Sequence, residues 1–67
     1  PTELISTHQK FINGYKFYSD SMPLLRSGLD NNDDSIIKQA TNKMSQGTKI
    51  VNEALGEFNA FTESLKN

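Results

Sequence analysis

Cysteine is absent from the 67 residues, and so is tryptophan. Without cysteine there are no disulfides, no thiolate metal sites and no cysteine nucleophile. The compartment stays open, because cysteine-free domains occur inside and outside cells. No run approaches the ~20 apolar residues that span a bilayer, and no signal peptide is visible. An excess of one charge is also missing. Seven Lys and Arg offset eight Asp and Glu to leave a net charge of −1. The cations Lys10, Lys16, Arg26, Lys38, Lys43, Lys49 and Lys66 are scattered, which argues against a nucleic-acid binder with a basic face. The length allows one small domain, 1–67, near the lower limit for a self-sufficient core. The chain begins at Pro1 rather than Met, so a processed product or a piece of a longer protein is expected, with any anchor outside it.

What the chain does have is two apolar heptad stripes. Leu4, His8, Phe11, Tyr15, Tyr18, Met22, Leu25 and Leu29 step by four and three, while Ile37, Ala40, Met44, Gly47, Val51, Ala54, Phe58, Phe61 and Leu65 step by three and four. An apolar position every ~3.5 residues lines one side of a helix. The expected fold is therefore all-α, a two-helix antiparallel hairpin with a coiled-coil seam. Its helix 1 runs over about 2–28, its turn over 29–34 and its helix 2 over about 35–65. Thr2 reads as the cap of helix 1, and Gly28 as the left-handed residue of a Schellman ending closed by Leu29. Pro23 cannot donate to the Ser19 carbonyl, so a kink or break is expected before it. Asp33, Asp34 or Ser35 caps helix 2.

Closing the hairpin so that paired numbers sum to about 65 sets Leu25 on Ala40, Tyr18 on Gly47, Phe11 on Ala54 and Leu4 on Phe61. Three of the four large helix 1 residues then meet a small partner, and the backbones approach closely. Gly56 reads as a solvent-facing weak spot. Apolar residues remain outside this seam: Ile5 and Ile12 on helix 1, Ile36, Ile50 and Leu55 on helix 2, and a strip of Phe17 and Leu24 to one side. Such strips mark an interface, with a second copy, a neighbouring domain or a partner protein completing the fold.

Catalytic and metal patterns fail on inspection. From Asp30, an EF-hand loop would need glycine where Ser35 stands and a bidentate Glu where Thr41 stands. His8 has no acidic partner one turn away and reads as a partly buried structural residue near Phe58. Glu53 and Glu57, with Lys49 one turn earlier, read as a solvated helix face. The four aromatics Phe11, Tyr15, Phe17 and Tyr18 read as core rather than a base-stacking platform, since the surrounding charge is neutral. No cofactor and no enzymatic activity are expected. Asp30, Asp33 and Asp34 form an acidic tip beyond what capping needs, suited to a basic partner.

The stretches Glu3–Phe11 (ELISTHQKF) and Gly28–Ala40 (GLDNNDDSIIKQA), followed by Gly47 and Val51–Leu55 (VNEAL), resemble the helical-hairpin repeats of extracytoplasmic lipoproteins from low-GC Gram-positive bacteria. One group of these consists of superinfection-exclusion lipoproteins of temperate phages. The resemblance implies a non-enzymatic protein-binding module, anchored to the outer face of the membrane through a segment absent here. It would hold an incoming phage component such as the tape measure protein and stop DNA injection. The candidate partner-binding residues, taken from the chain itself, are Asp30, Asp33, Asp34, Ile5, Ile12, Phe17, Ile50 and Leu55. The alternative is a structural hairpin that builds a four-helix bundle as a homodimer. A small helical-hairpin export substrate is disfavoured because its Trp-x-Gly turn needs the missing tryptophan.

Overall fold

A computed structural model describes residues 2–66. Two α-helices, α1 (Thr2–Asp30) and α2 (Asp34–Ser64), run antiparallel along a rod 54 Å long. The hairpin expected from the two stripes is the fold. Both helices extend beyond the expected limits at the tip, so the turn shrinks to Asn31, Asn32 and Asp33. Thr2 is the first helical residue rather than the cap.

The ending of α1 corrects the expectation for Gly28. A Schellman motif is present, but one turn later. Asn32 takes the left-handed conformation at φ 54°, the Asp33 N–H donates to the Gly28 carbonyl at 2.8 Å, and the Asn32 N–H donates to the Leu29 carbonyl at 3.3 Å. Asparagine tolerates this conformation because its short polar side chain crowds the backbone little. Gly28 is thereby released from the cap and stays helical. The chain then reverses at once, because Asp33 caps α2: its Oδ1 accepts from the N–H groups of Ser35 (3.0 Å) and Ile36 (3.2 Å).

Pro23 does not break α1, which continues through it. The residue is exposed, so its ring faces water.

The seam is also rotated from the expected one. The buried residues of α1 are Thr7, Gly14, Ser21 and Gly28, and those of α2 are Ala40, Gly47 and Ala54, each set spaced by seven. Small residues therefore face small residues along the centre. A Cβ placed on Gly47 would lie 2.7 Å from the Gly14 carbonyl oxygen, inside van der Waals contact. Gly14 and Gly47 mark a close approach of the two backbones, one turn from the expected register. The Tyr18–Gly47 contact of that register is present, with Tyr18 Cε1 3.1 Å from the Cβ position on Gly47. It has counterparts in the other direction. Val51 covers Gly14 and Ile37 covers Gly28, so each glycine seats a large side chain from the opposite helix. The buried hydroxyl of Ser21 is satisfied within its own helix by donating to the Tyr18 carbonyl at 2.7 Å.

Candidate functional site: two unlike faces

A seam of small residues leaves the large apolar side chains at its margins, where they sort onto two faces of the rod. On the first face the margins are Leu4, Phe11, Tyr18 and Leu25 from α1 and Ile37, Met44 and Val51 from α2, all half-buried. Tyr18 donates to or accepts from the Thr48 hydroxyl at 2.8 Å, and Leu4, His8, Phe11 and Phe58 line one cavity, which places both helices' rows on the same side. Outside these margins α1 carries His8, Tyr15, Met22 and Leu29, and α2 carries Thr41, Thr48 and Leu55. Tyr15 bridges two margin aromatics, its ring centroid 6.3 Å from Phe11 and 6.0 Å from Tyr18. None of the Asp, Glu, Lys or Arg residues falls in these rows.

The second face is polar. Its margins hold Lys10, Phe17 and Leu24 on α1 and Ile36, Lys43, Ile50 and Glu57 on α2, with Asn13, Asp20 and Gln46 outside them. Lys10 and Glu57 form an ion pair across the helices, and the Thr7 hydroxyl donates to the same carboxylate at 2.8 Å. The hydrogen bond from Lys10, helped by that from Thr7, holds the Glu57 carboxyl below its usual range; the hydrogen bond to Glu57 raises Lys10. Glu57 is thus an inter-helix partner, which corrects its reading as a solvated residue; Glu53 is exposed. The Lys43 ammonium lies 6.0 Å from the Phe17 ring centroid.

The candidate partner-binding residues do not converge. Phe17 and Ile50 are half-buried in a cleft of the polar face with Asn13, Lys16 and Asp20. Leu55 lies on the uncharged face, 45% exposed, while Ile5 and Ile12 are exposed along the far edge of α1. The acidic tip is partly spent on structure, since Asp33 caps α2 and Asp30 lies 4.0 Å from Arg26; Asp34 is exposed.

Five residues assigned to the seam are instead solvent-facing. Tyr15, Met22, Leu29, Phe58 and Leu65 are 43–69% exposed, and His8 is exposed beside Phe58 rather than partly buried. The small-residue heptad at 7, 14, 21 and 28 was the signal for this. It mirrors 40, 47 and 54, and the larger side chains of the neighbouring stripe outweigh it in a purely hydrophobic reading. Among the described residues, no group of three His, Asp or Glu side chains is placed to hold a metal ion. No protein-family model, curated protein or solved structure matches this chain.

Proposed function

We propose that the hairpin is a non-enzymatic protein-interaction module whose uncharged face is the docking surface. One observation carries this reading: among the described residues, the rows of a face running along both helices hold no charged side chain, Lys49 and Glu53 lying at its rim beside Met44 and Thr48, yet leave Tyr15, Met22, Leu29, Leu55 and Phe58 in water. Continuous apolar surface rimmed by polar residues is costly in an unpartnered protein, and such surface marks an interaction site. The acidic tip supports docking less, because capping and the Arg26 contact already engage two of its three carboxylates.

In the setting implied by the lipoprotein resemblance, the module stands on the outer face of the membrane and holds a phage component during entry. Helices docking into an apolar groove suit that task, since the partner need supply only an amphipathic segment. The test is infection of a Gram-positive host displaying the chain behind a lipoprotein anchor. Phage DNA entry is expected to fall, and Met22→Glu with Leu55→Glu is expected to restore it. Asn13→Glu with Gln46→Glu, on the polar face, is expected to leave the block in place. No block at all removes the exclusion role. A block unaffected by the first pair removes the docking face.

A further inference from the structure

We infer that the occupant of the uncharged face is a second copy of this chain, and that two hairpins stack through it as a four-helix bundle. The inference rests on the docking face proposed above and fills it, in the protein alone, with a second copy that a phage component would have to displace.

Surface area is the first support. The chain exposes 4913 Å². A compact monomer of this mass exposes about 4,250 Å². The excess, roughly 650 Å², approaches the ~800 Å² that each partner hides in a standard interface. The face is long enough to supply it, being 54 Å long and about two helix diameters (~20 Å) wide.

Self-complementarity is the second. Gly14 and Gly47 mark the middle of the rod. Inside the edge formed by exposed Ile5 and Ile12, the large exposed side chains of α1 lie from the middle to the tip, at Tyr15, Met22 and Leu29; on α2 they lie toward the open end, at Leu55, Phe58 and Leu65. The other two quadrants present Thr41 and Thr48 near the tip and His8 near the open end. Among the exposed positions, large residues thus occupy one diagonal of the face and smaller or polar ones the other, while the half-buried margins Leu4, Phe11, Ile37 and Met44 are large in both. A two-fold axis lying in the face, along the rod or across it, superimposes each large quadrant on a small one. With the axis along the rod, Met22 meets the partner's Thr41 and Leu55 the partner's His8. With the axis across it, Met22 meets the partner's His8 and Leu55 the partner's Thr41. An isologous contact requires a patch that complements itself in this way. The absence of charge on the face removes like-charge repulsion between identical surfaces. The polar face, carrying the Lys10–Glu57 pair, stays outward in such a bundle.

Sedimentation across concentration, with thiol trapping, tests this. The chain is expected to run as a dimer at about 0.1 mM and to dissociate on dilution. Met22→Glu with Leu55→Glu is expected to weaken the dimer at least 100-fold while circular dichroism stays helical. Asn13→Glu with Gln46→Glu should leave it intact. Because the chain lacks cysteine, an introduced thiol is its sole crosslinking group. Tyr15→Cys should couple to itself if the axis runs across the rod. Mixed Tyr15→Cys and Thr48→Cys chains should couple to each other if it runs along the rod. Either result supports the bundle. A helical monomer at about 1 mM overturns it, as does coupling through Asn13→Cys in place of these. If the monomer still blocks phage entry through Met22 and Leu55, the docking face stands and only its partner changes.

Discussion

At the scale of single residues, the glycines separate by what surrounds them. Gly56 has nothing within 4 Å of its Cβ position, so alanine there removes only the helix penalty of glycine and should stabilise by about 0.5–1 kcal/mol. At Gly47 the same gain is opposed by a Cβ 2.7 Å from the Gly14 backbone oxygen, which cannot move without separating the helices. Overpacking of that kind costs about 1–3 kcal/mol. Gly14 is intermediate, because its nearest neighbour is the Val51 Cγ2 at 2.5 Å, a side chain rather than backbone. Denaturant midpoints should therefore rank Gly56→Ala above the parent, then Gly14→Ala, then Gly47→Ala; a Gly47→Ala variant as stable as Gly56→Ala would deny the close approach. The Lys10–Glu57 pair carries a pH signature. Glu57 is lowered from 4.5, so its contribution is present above that value and is lost as acid takes the pH through its folded value. Lys10 is raised from 10.5, so its contribution is full below that value and is lost as alkali passes its folded value. The melting-temperature gap between the parent and Glu57→Gln should be widest between these limits and close on both sides. A gap that persists unchanged into strong acid would show that the pair does not stabilise the fold.

At the scale of the elements, the tip shows which signals reach a reader of the sequence and which do not. A cap at Asp33, Asp34 or Ser35 was legible because it depends on a local side-chain bond to the first turn of α2, and the structure selects Asp33. The end of α1 was not. Both Gly28 and Asn32 suit a left-handed ending, and tertiary packing chose between them: Gly28 is needed where Ile37 crosses, its Cβ position 2.7 Å from Ile37 Cγ1. The same competition hid the seam. Hydropathy ranks Tyr15, Met22 and Leu29 above Thr7, Gly14 and Ser21, while two helices pack closest through their smallest residues. The heptad period therefore revealed the hairpin but missed the rotation of α1 about its own axis, and with it the face left open. Two substitutions follow. Asn32→Gly should stabilise by about 0.5–1 kcal/mol, since glycine enters the left-handed region without the Cβ penalty, whereas Gly28→Asn should destabilise. Pro23→Ala restores an N–H donor at an exposed position and should raise stability by about 1–3 kcal/mol in chemical denaturation. A loss of stability there would mean that the rod depends on the proline's local geometry.

At the scale of the whole molecule, the lone hairpin is thinly supported. Among the described residues, the fully buried apolar ones are Ala40 and Ala54, and the largest side chain fully withdrawn from water is that of Ser21. Alanines contribute little transfer free energy, so the half-covered margins provide most of the hydrophobic stabilisation. A small domain in this position depends on oligomerisation, metals or crosslinks, and cysteine crosslinks are excluded. Stacking the uncharged faces would convert half-buried Phe11, Tyr18, Met44 and Val51 into core and cover Tyr15, Met22 and Leu55. Folding and association would then be linked, because a partner that binds only the folded state adds to its stability by mass action. A tenfold rise in concentration is worth about 1.4 kcal/mol per dimer, and with the unfolding entropy of a chain this short the melting temperature should climb about 3–5 °C per decade. Met22→Glu with Leu55→Glu should remove that slope, leaving a lower melting temperature that no longer depends on concentration. The parent melting at one temperature from micromolar to millimolar concentration would mean that the seam of small residues holds the hairpin alone. In that case the exposed face would remain free for an unlike partner.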